Sequence, residues 1–186
     1  MFARALSGTI VGIEAKSIAV ESHQAKGLPG FTLIGMARGA VKESAVRVKS
    51  AIIASGIKLG TQRRVVNLIP AELPKEASAL DLALAVSILA SAGLIPIESL
   101  ESRRFYGELS LGGGLESVRG GVLLADLVRR FDEKELILPE VNAAEADVLL
   151  RLDEALDDRR QIILKESSGE IIKAKDSWFV KIGRAH

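Results

Sequence analysis

Two stretches near the start of the chain carry β-branched residues in partial alternation with polar ones. They are Thr9 to Glu14, with Ile10, Val11 and Ile13, and Ser17 to Ser22, with Ile18 and Val20. Such a pattern predicts two strands, and Ala15-Lys16 between them predicts a tight turn. Lys26-Gly27-Leu28-Pro29-Gly30 reads as a loop, and Phe31 to Gly35 as a third short strand. From Arg38 to Ala54 the period lengthens. Val41, Ala45, Val48 and Ile52 recur at i, i+4, i+7 and i+11, one apolar stripe on a helix that Ser55-Gly56 ends. Arg64 to Ile69 follows as a buried strand and Pro70 to Lys75 as a loop. Ser78-Ala79-Leu80-Asp81 has the form of a capping box, opening a helix that runs to Ala92 and stops at Gly93.

Further on, Phe105 to Leu111 and Leu115 to Val118 read as short strands around Gly112-Gly113-Gly114. Gly120 to Phe131 is a helix, Glu135 to Leu138 is a strand stopped by Pro139, and Asn142 caps a helix from Ala143 to about Leu156. Strands come first as a hairpin group and then alternate with helices, which predicts α+β, or a mixed-sheet α/β arrangement. One domain over residues 1–158 accounts for this pattern. Residues 159–186 form a weakly patterned tail, in which Gln161 to Leu164 and Glu170 to Lys173 pair as a late hairpin around Ser167-Ser168-Gly169. The last six residues, 181–186, read as the non-native end of a truncated gene fragment and are set aside from the fold.

Composition narrows the chemistry. Apolar residues make up 48% of the 186 and charged residues 26%, a globular balance that excludes disorder. Aromatics are only 4%, so the core is aliphatic and rich in Ala. Lys and Arg total 25 against 24 Asp and Glu, which excludes a strongly basic nucleic-acid binder but leaves room for a local basic face. The absence of Cys excludes disulfides, Cys-ligated zinc and a Cys nucleophile. With His23 and His186 far apart, no metal site is expected. His23 on a strand reads as structural, and Trp178 as a packing residue of the tail. The opening residues lack a secretory leader. The most apolar stretch, Ala77 to Ile97, is interrupted by Asp81 and Pro96, so it predicts a buried helix rather than a membrane span. A cytoplasmic protein is the expectation.

A phosphate-binding Gly-x-x-x-x-Gly-Lys-Ser/Thr loop is absent from the sequence. Gly112-Gly113-Gly114 and Arg119-Gly120-Gly121 read as a tight strand turn and a helix start, although a phosphate cradle at the helix start is the competing reading. Lys58, Arg63, Arg64 and Lys75 gather around one strand and its loops. Arg38, Lys42 and Lys49 repeat on the side of their helix opposite the Val41 stripe. Arg63, Arg64, Lys75, Arg38 and Lys42 are therefore the candidate phosphate contacts, in a field diluted by Glu43, Glu72 and Glu76.

An ordered set of segments is more specific than any of these. It comprises Gly12-Ile13-Glu14-Ala15, Gly27-Leu28-Pro29-Gly30-Phe31-Thr32-Leu33-Ile34-Gly35, Val41-Lys42-Glu43-Ser44 and Arg47-Val48-Lys49. It continues with Val66 through Glu76, Leu80-Asp81-Leu82-Ala83, Gly107-Glu108-Leu109-Ser110-Leu111, and Pro139 with Asn142-Ala143-Ala144-Glu145-Ala146. In this order they resemble the N-terminal domain of the YifB/ComM family, the magnesium-chelatase-like AAA+ ATPases, over roughly residues 1–150. The resemblance implies a fold similar to the proteolytic domain of Lon and to the second domain of ribosomal protein S5. It also implies a longer protein in which this domain precedes an AAA+ motor, absent from the present chain. That motor would bind ATP and Mg, assemble as a hexamer and act on branched DNA during natural transformation.

Lon-type proteases use a Ser-Lys dyad, because a Ser hydroxyl attacks only when a neutral amine removes its proton. On the resemblance, Lys75-Glu76-Ala77-Ser78-Ala79-Leu80-Asp81 aligns with the nucleophile segment and Ala79 falls at the Ser position. Gly121-Val122-Leu123 occupies the region of the Lys, so Val122 marks the missing base. Ser78, one residue away, reads as the helix N-cap. Arg119 stays protonated and cannot serve as a base. The reading is a non-catalytic module for assembly, partner docking or DNA guidance, with no catalytic residue and no cofactor of its own. Two other classes stay open here: a Lon-like serine peptidase with an unrecognised dyad, and an autonomous nucleic-acid-binding domain.

Overall fold

The computed structural model describes residues 1–139 apart from 29, 36, 37, 77, 117, 119 and 132–134, together with strands at 161–164, 170–173 and 179–183. For Arg38, Gly39, Val41, Lys42, Val122, Asp126, Glu135 and residues beyond 136, the description stops at the backbone. In chain order the elements are β1 (Phe2–Val11), β2 (Glu14–Ala25), β3 (Gly30–Ile34), α1 (Arg38–Ala54), β4 (Arg63–Ile69) and α2 (Asp81–Ser91). Then come β5 (Arg103–Phe105), β6 (Glu108–Leu109), β7 (Leu115–Glu116), α3 (Gly121–Arg130) and β8 (Glu135–Pro139), followed by β9 (Gln161–Leu164), β10 (Glu170–Lys173) and β11 (Phe179–Gly183).

The α+β expectation holds. A mixed sheet runs in the order β11-β8-β5-β1-β2-β4-β3, with β6–β7 and β9–β10 as separate hairpins. The first hairpin is longer than its sequence pattern suggested. Phe2 pairs with His23 and Val11 with Glu14, so the turn is Gly12-Ile13 and not Ala15-Lys16, which lie inside β2. Gly12 has φ +65°, the left-handed backbone that a two-residue hairpin loop needs and that glycine adopts without strain.

Alternation then sorts the sheet faces. Ala3 and Ala5 of β1, Ile18 and Val20 of β2, and Val66 and Leu68 of β4 share one face. They form a single apolar core with Val48 and Ile52 of α1 and Leu84 and Ile88 of α2. Eight of the eleven residues of α2 are buried, which makes it the central helix rather than a surface one. Each fully buried Leu or Ile there contributes roughly 1.5–3 kcal/mol. The helix serines in this layer are satisfied: Ser87 donates to the Leu84 carbonyl at 2.9 Å, and Ser91 Oγ lies 2.8 Å from Ser22 Oγ. On the opposite face α3 crosses Gly8, where an added Cβ would stand 2.4 Å from Leu124 Cδ2. A second cluster of Ala15, Ala79, Tyr106, Leu124, Leu127 and Leu136 fills that side.

α1 occupies the predicted span. Val48 and Ile52 are buried and Ala45 half-buried, while the Val41 side chain lies outside the described residues. The Phe105–Leu111 strand is broken in two: the backbone leaves the main sheet after Phe105 and resumes as β6, in a hairpin with β7. The late hairpin is present, with Leu164 opposite Glu170. Residues 181–183, set aside in the sequence reading, continue β11, which pairs in parallel with β8. The helix expected at 142–156 and Trp178 lie outside the described residues. No helix among the described residues is long and apolar enough to cross a membrane.

Candidate functional site

The corner that would hold a Lon-type dyad is built by two backbone stitches. A 3-10 turn, Ser78–Leu80, leads into α2. The Gly107 amide donates to the Ala79 carbonyl at 2.9 Å, and the Leu82 amide donates to the Gly107 carbonyl at 3.1 Å. The strand connection 105–108 is thereby fixed against the start of α2. Ala79 is fully buried among apolar neighbours. Tyr106 beside it is 1% exposed, and its hydroxyl has no hydrogen-bond partner among the described residues. Burial, with Glu76 nearby, pushes the phenol up to about 12. A phenol held neutral in this way neither accepts a proton nor attacks at ordinary pH.

The capping box is a correction. Leu80 occupies the N-cap of α2 and no side chain caps the helix. The Asp81 carboxylate turns instead into the interface with α1 and is completely buried. Its Oδ2 accepts from Arg47 Nε at 2.7 Å and its Oδ1 from Ser44 Oγ at 3.0 Å, with the Leu109 amide of β6 at 3.4 Å. Burial pushes the Asp81 carboxyl up, while Arg47, Ser44 and the Leu109 amide pull it back. The Asp81 hydrogen bond in turn holds the Arg47 guanidinium above its ordinary value. Its hydrogen-bond partners among the described residues are all donors, which favours the ionised carboxylate against the cost of burial. The group fastens α1, α2 and β6 together at one point. The tertiary ion pair outcompetes the local cap because a buried carboxylate needs a cation, and a cap supplies only amides.

Both glycine clusters sit at backbone turns, with positive φ at Gly113 and Gly120. Gly120, at the N-cap of α3, has φ +89°, and a Cβ there would stand 1.8 Å from Ile10 Cδ1, so this helix start is pressed against β1. In the β6–β7 hairpin the Gly113 amide donates to the Ser110 carbonyl at 3.0 Å and the Gly114 amide to Ser110 Oγ at 3.0 Å. Among the described residues no three His, Asp or Glu side chains gather as a metal site. His23 is exposed on β2, opposite Val65.

Among the candidates whose side chains are described, Arg63, Arg64 and Lys75 do not share one patch. Arg63 and Arg64 are consecutive on β4 and so point to opposite faces. Arg63 is exposed. Arg64 is 6% exposed, and its Nη1 donates to the carbonyls of Gly60 at 3.0 Å and Gln62 at 3.2 Å. Lys75 is half-buried, donating to the Leu73 carbonyl at 2.9 Å and the Ala71 carbonyl at 3.2 Å, and burial pulls its pKa down. Thr9 donates to the Pro74 carbonyl and pairs with Lys16, whereas Arg63 pairs with Ala25. From Lys16 to Ala25 along β2 is roughly 30 Å at ~3.3 Å per residue. The side chains of Arg38 and Lys42 lie outside the described residues, and Lys49 is exposed on α1.

Comparison with known proteins agrees with the ordered segments. The family model described as subunit ChlI of Mg-chelatase matches residues 20–142. The competence protein ComM of Haemophilus influenzae is 39% identical over 139 residues, which cover 75% of this chain and 27% of that protein. The chain belongs to the ChlI-type YifB/ComM family. YifB of Salmonella typhimurium is 38% identical over 139 residues, covering 75% of this chain and 27% of its own length. YifB of Escherichia coli is 41% identical over 112 residues, covering 60% and 22%. This YifB/ComM-family chain thus spans about a quarter of the length of the curated relatives it matches.

Two residues escaped the sequence reading. Arg47 stood unremarked inside Arg47-Val48-Lys49, and Tyr106 was only part of a strand. The signal for the first was present: Asp81 is a lone carboxylate in the apolar run 77–97, and a charge so placed needs a partner.

Proposed function

We propose that this chain is a non-catalytic module of a larger YifB/ComM-type ATPase, with the architecture of the Lon proteolytic domain and of the second domain of ribosomal protein S5. Its role is to support assembly, to dock partners or to guide DNA towards a motor. ATP and Mg binding, hexamer formation and action on DNA belong, in this reading, to the remainder of such a protein, which works in the cytoplasm. No step is assigned to ATP in this chain.

One observation carries the reading. At the nucleophile position implied by the resemblance stands Ala79, a buried methyl whose carbonyl is tied to Gly107. A nucleophile and its base act as a unit, so the loss of both removes the covalent chemistry and not merely half of it. The purified chain is expected to release no fluorescent peptide from labelled casein and no phosphate from ATP above a buffer blank. Casein hydrolysis that disappears on Ser78→Ala would overturn the reading in favour of a slipped nucleophile.

A further inference from the structure

Away from the Ala79 corner, a cavity of about 720 Å³ opens between the C-terminal half of α1 and the strands β3 and β4. Its size is that of a small-molecule site. The way α1 ends creates it. The Gly56 amide donates to the Ile53 carbonyl at 2.9 Å and the Ile57 amide to the Ile52 carbonyl at 3.3 Å, a pattern that turns the chain sharply out of the helix. Residues 57–62 then run along the cavity mouth, held there by the two carbonyl contacts of Arg64. The floor is apolar, made by Val48, Ile52 and Ile88 with Phe31 alongside.

The charged residues of the lining are Lys49, Lys58 and Arg64; none of the lining residues is Asp or Glu. Lys49 and Lys58 are exposed at the rim. Arg64 is more than nine-tenths buried, and its Nε has no hydrogen-bond partner among the described residues. Among the described residues its guanidinium thus meets carbonyl dipoles but no counter-charge, an arrangement that costs free energy in a buried setting. Burial accordingly pulls its pKa down. An apolar floor, three cations and no competing carboxylate together specify the complementary ligand.

We propose that this cavity is a binding site for a small amphiphilic carboxylate, whose apolar body lies on Val48, Ile52 and Ile88 and whose acid group meets the cations of Lys49, Lys58 and Arg64. The proposal stands apart from the reading of the Ala79 corner, and either can fail alone.

The test titrates dodecanoate, kept below its aggregation concentration, into the ¹⁵N-labelled full chain, with dodecanol and dodecyltrimethylammonium as neutral and cationic counterparts. Saturable shifts are expected at the amides of Gly56, Ile57 and Gly60, with dodecanoate binding the tightest of the three. The double variant Lys49→Glu, Lys58→Glu, at two exposed positions, should weaken dodecanoate by about tenfold or more and leave the circular dichroism spectrum unchanged. Equal affinity for all three probes, indifference to the double charge reversal, or no saturable shift at these amides would each overturn the proposal. So would dodecanoate shifts confined to α3.

Discussion

Two arginines reach into the helix-covered side of the sheet, and they are held in opposite ways. Arg47 meets a buried carboxylate, Asp81, through a 2.7 Å hydrogen bond. Arg64 meets two backbone carbonyls and, among the described residues, no carboxylate. Around Arg47 the structure is closed: α1, α2 and β6 converge on one satisfied group. Around Arg64 it is open, with an apolar cavity and two further cations. Where the fold supplies the anion itself, it gains a rigid junction. Where it does not, it keeps a site whose electrostatics are incomplete without a ligand.

The largest expected effect comes from breaking the closed junction. Arg47→Met leaves Asp81 buried without its cation and should destabilise the fold by about 3–5 kcal/mol at neutral pH, read by urea denaturation. The deficit should depend on pH in a definite direction. Burial already raises the Asp81 carboxyl above its ordinary 3.8, and loss of Arg47 raises it further. A group with a raised folded pKa contributes fully below its unfolded value, and that contribution is lost as pH rises through the folded one. The Arg47→Met deficit should therefore shrink as pH falls from neutral into the range where the buried Asp81 takes up a proton. A deficit that stays constant over that range would mean that the charge of Asp81 is not what Arg47 offsets.

At the open end, Arg64→Met should cost less, about 1–3 kcal/mol for the lost carbonyl contacts, because no buried charge is left behind. The loss should be local, with faster amide exchange at 57–62 and little change at Leu109. A cost equal to that of Arg47→Met would erase the distinction between the two arginines.

The smallest change tests a buried hydroxyl that has no hydrogen-bond partner among the described residues. Tyr106→Phe removes a hydroxyl that makes no hydrogen bond among the described residues, so stability should stay within about 0.5 kcal/mol or rise. The phenol is raised to about 12 from 10.0. Its contribution is present below the unfolded value and lost as pH climbs between these two. Tyr106→Phe should thus flatten the alkaline limb of a stability–pH profile.

The comparison also explains which parts were legible in the sequence. α1 was predicted over its observed span because its signals are local: the spacing of Val48 and Ile52 and the stop at Gly56. Asp81 was misread because Ser-x-x-Asp before an apolar run is the local form of a cap, while its true partner lies thirty-four positions earlier. No short-range pattern carries that information. Arg63 and Arg64 show the reverse case. Their adjacency suggested one patch, yet the period-two rule for a strand already placed them on opposite faces. The cavity was illegible for a third reason. It exists because a helix end, a loop and two strands meet, and no single segment encodes that meeting.

The first hairpin has a consequence for how the chain reaches this state. β1 and β2 pair over their full length around a two-residue loop, so their closure entropy is small and their contacts are local. The same β1 is also the parallel partner of β5, with Leu6 opposite Arg104, the pairing of the main sheet whose strands lie farthest apart in sequence. One strand of the main sheet therefore belongs to both its most local and its least local pairing. Until β5 arrives, the second edge of β1 is an unpaired backbone on a folded hairpin, a template open to any strand. The window between those two events is when this protein is most exposed to pairing with another copy of itself.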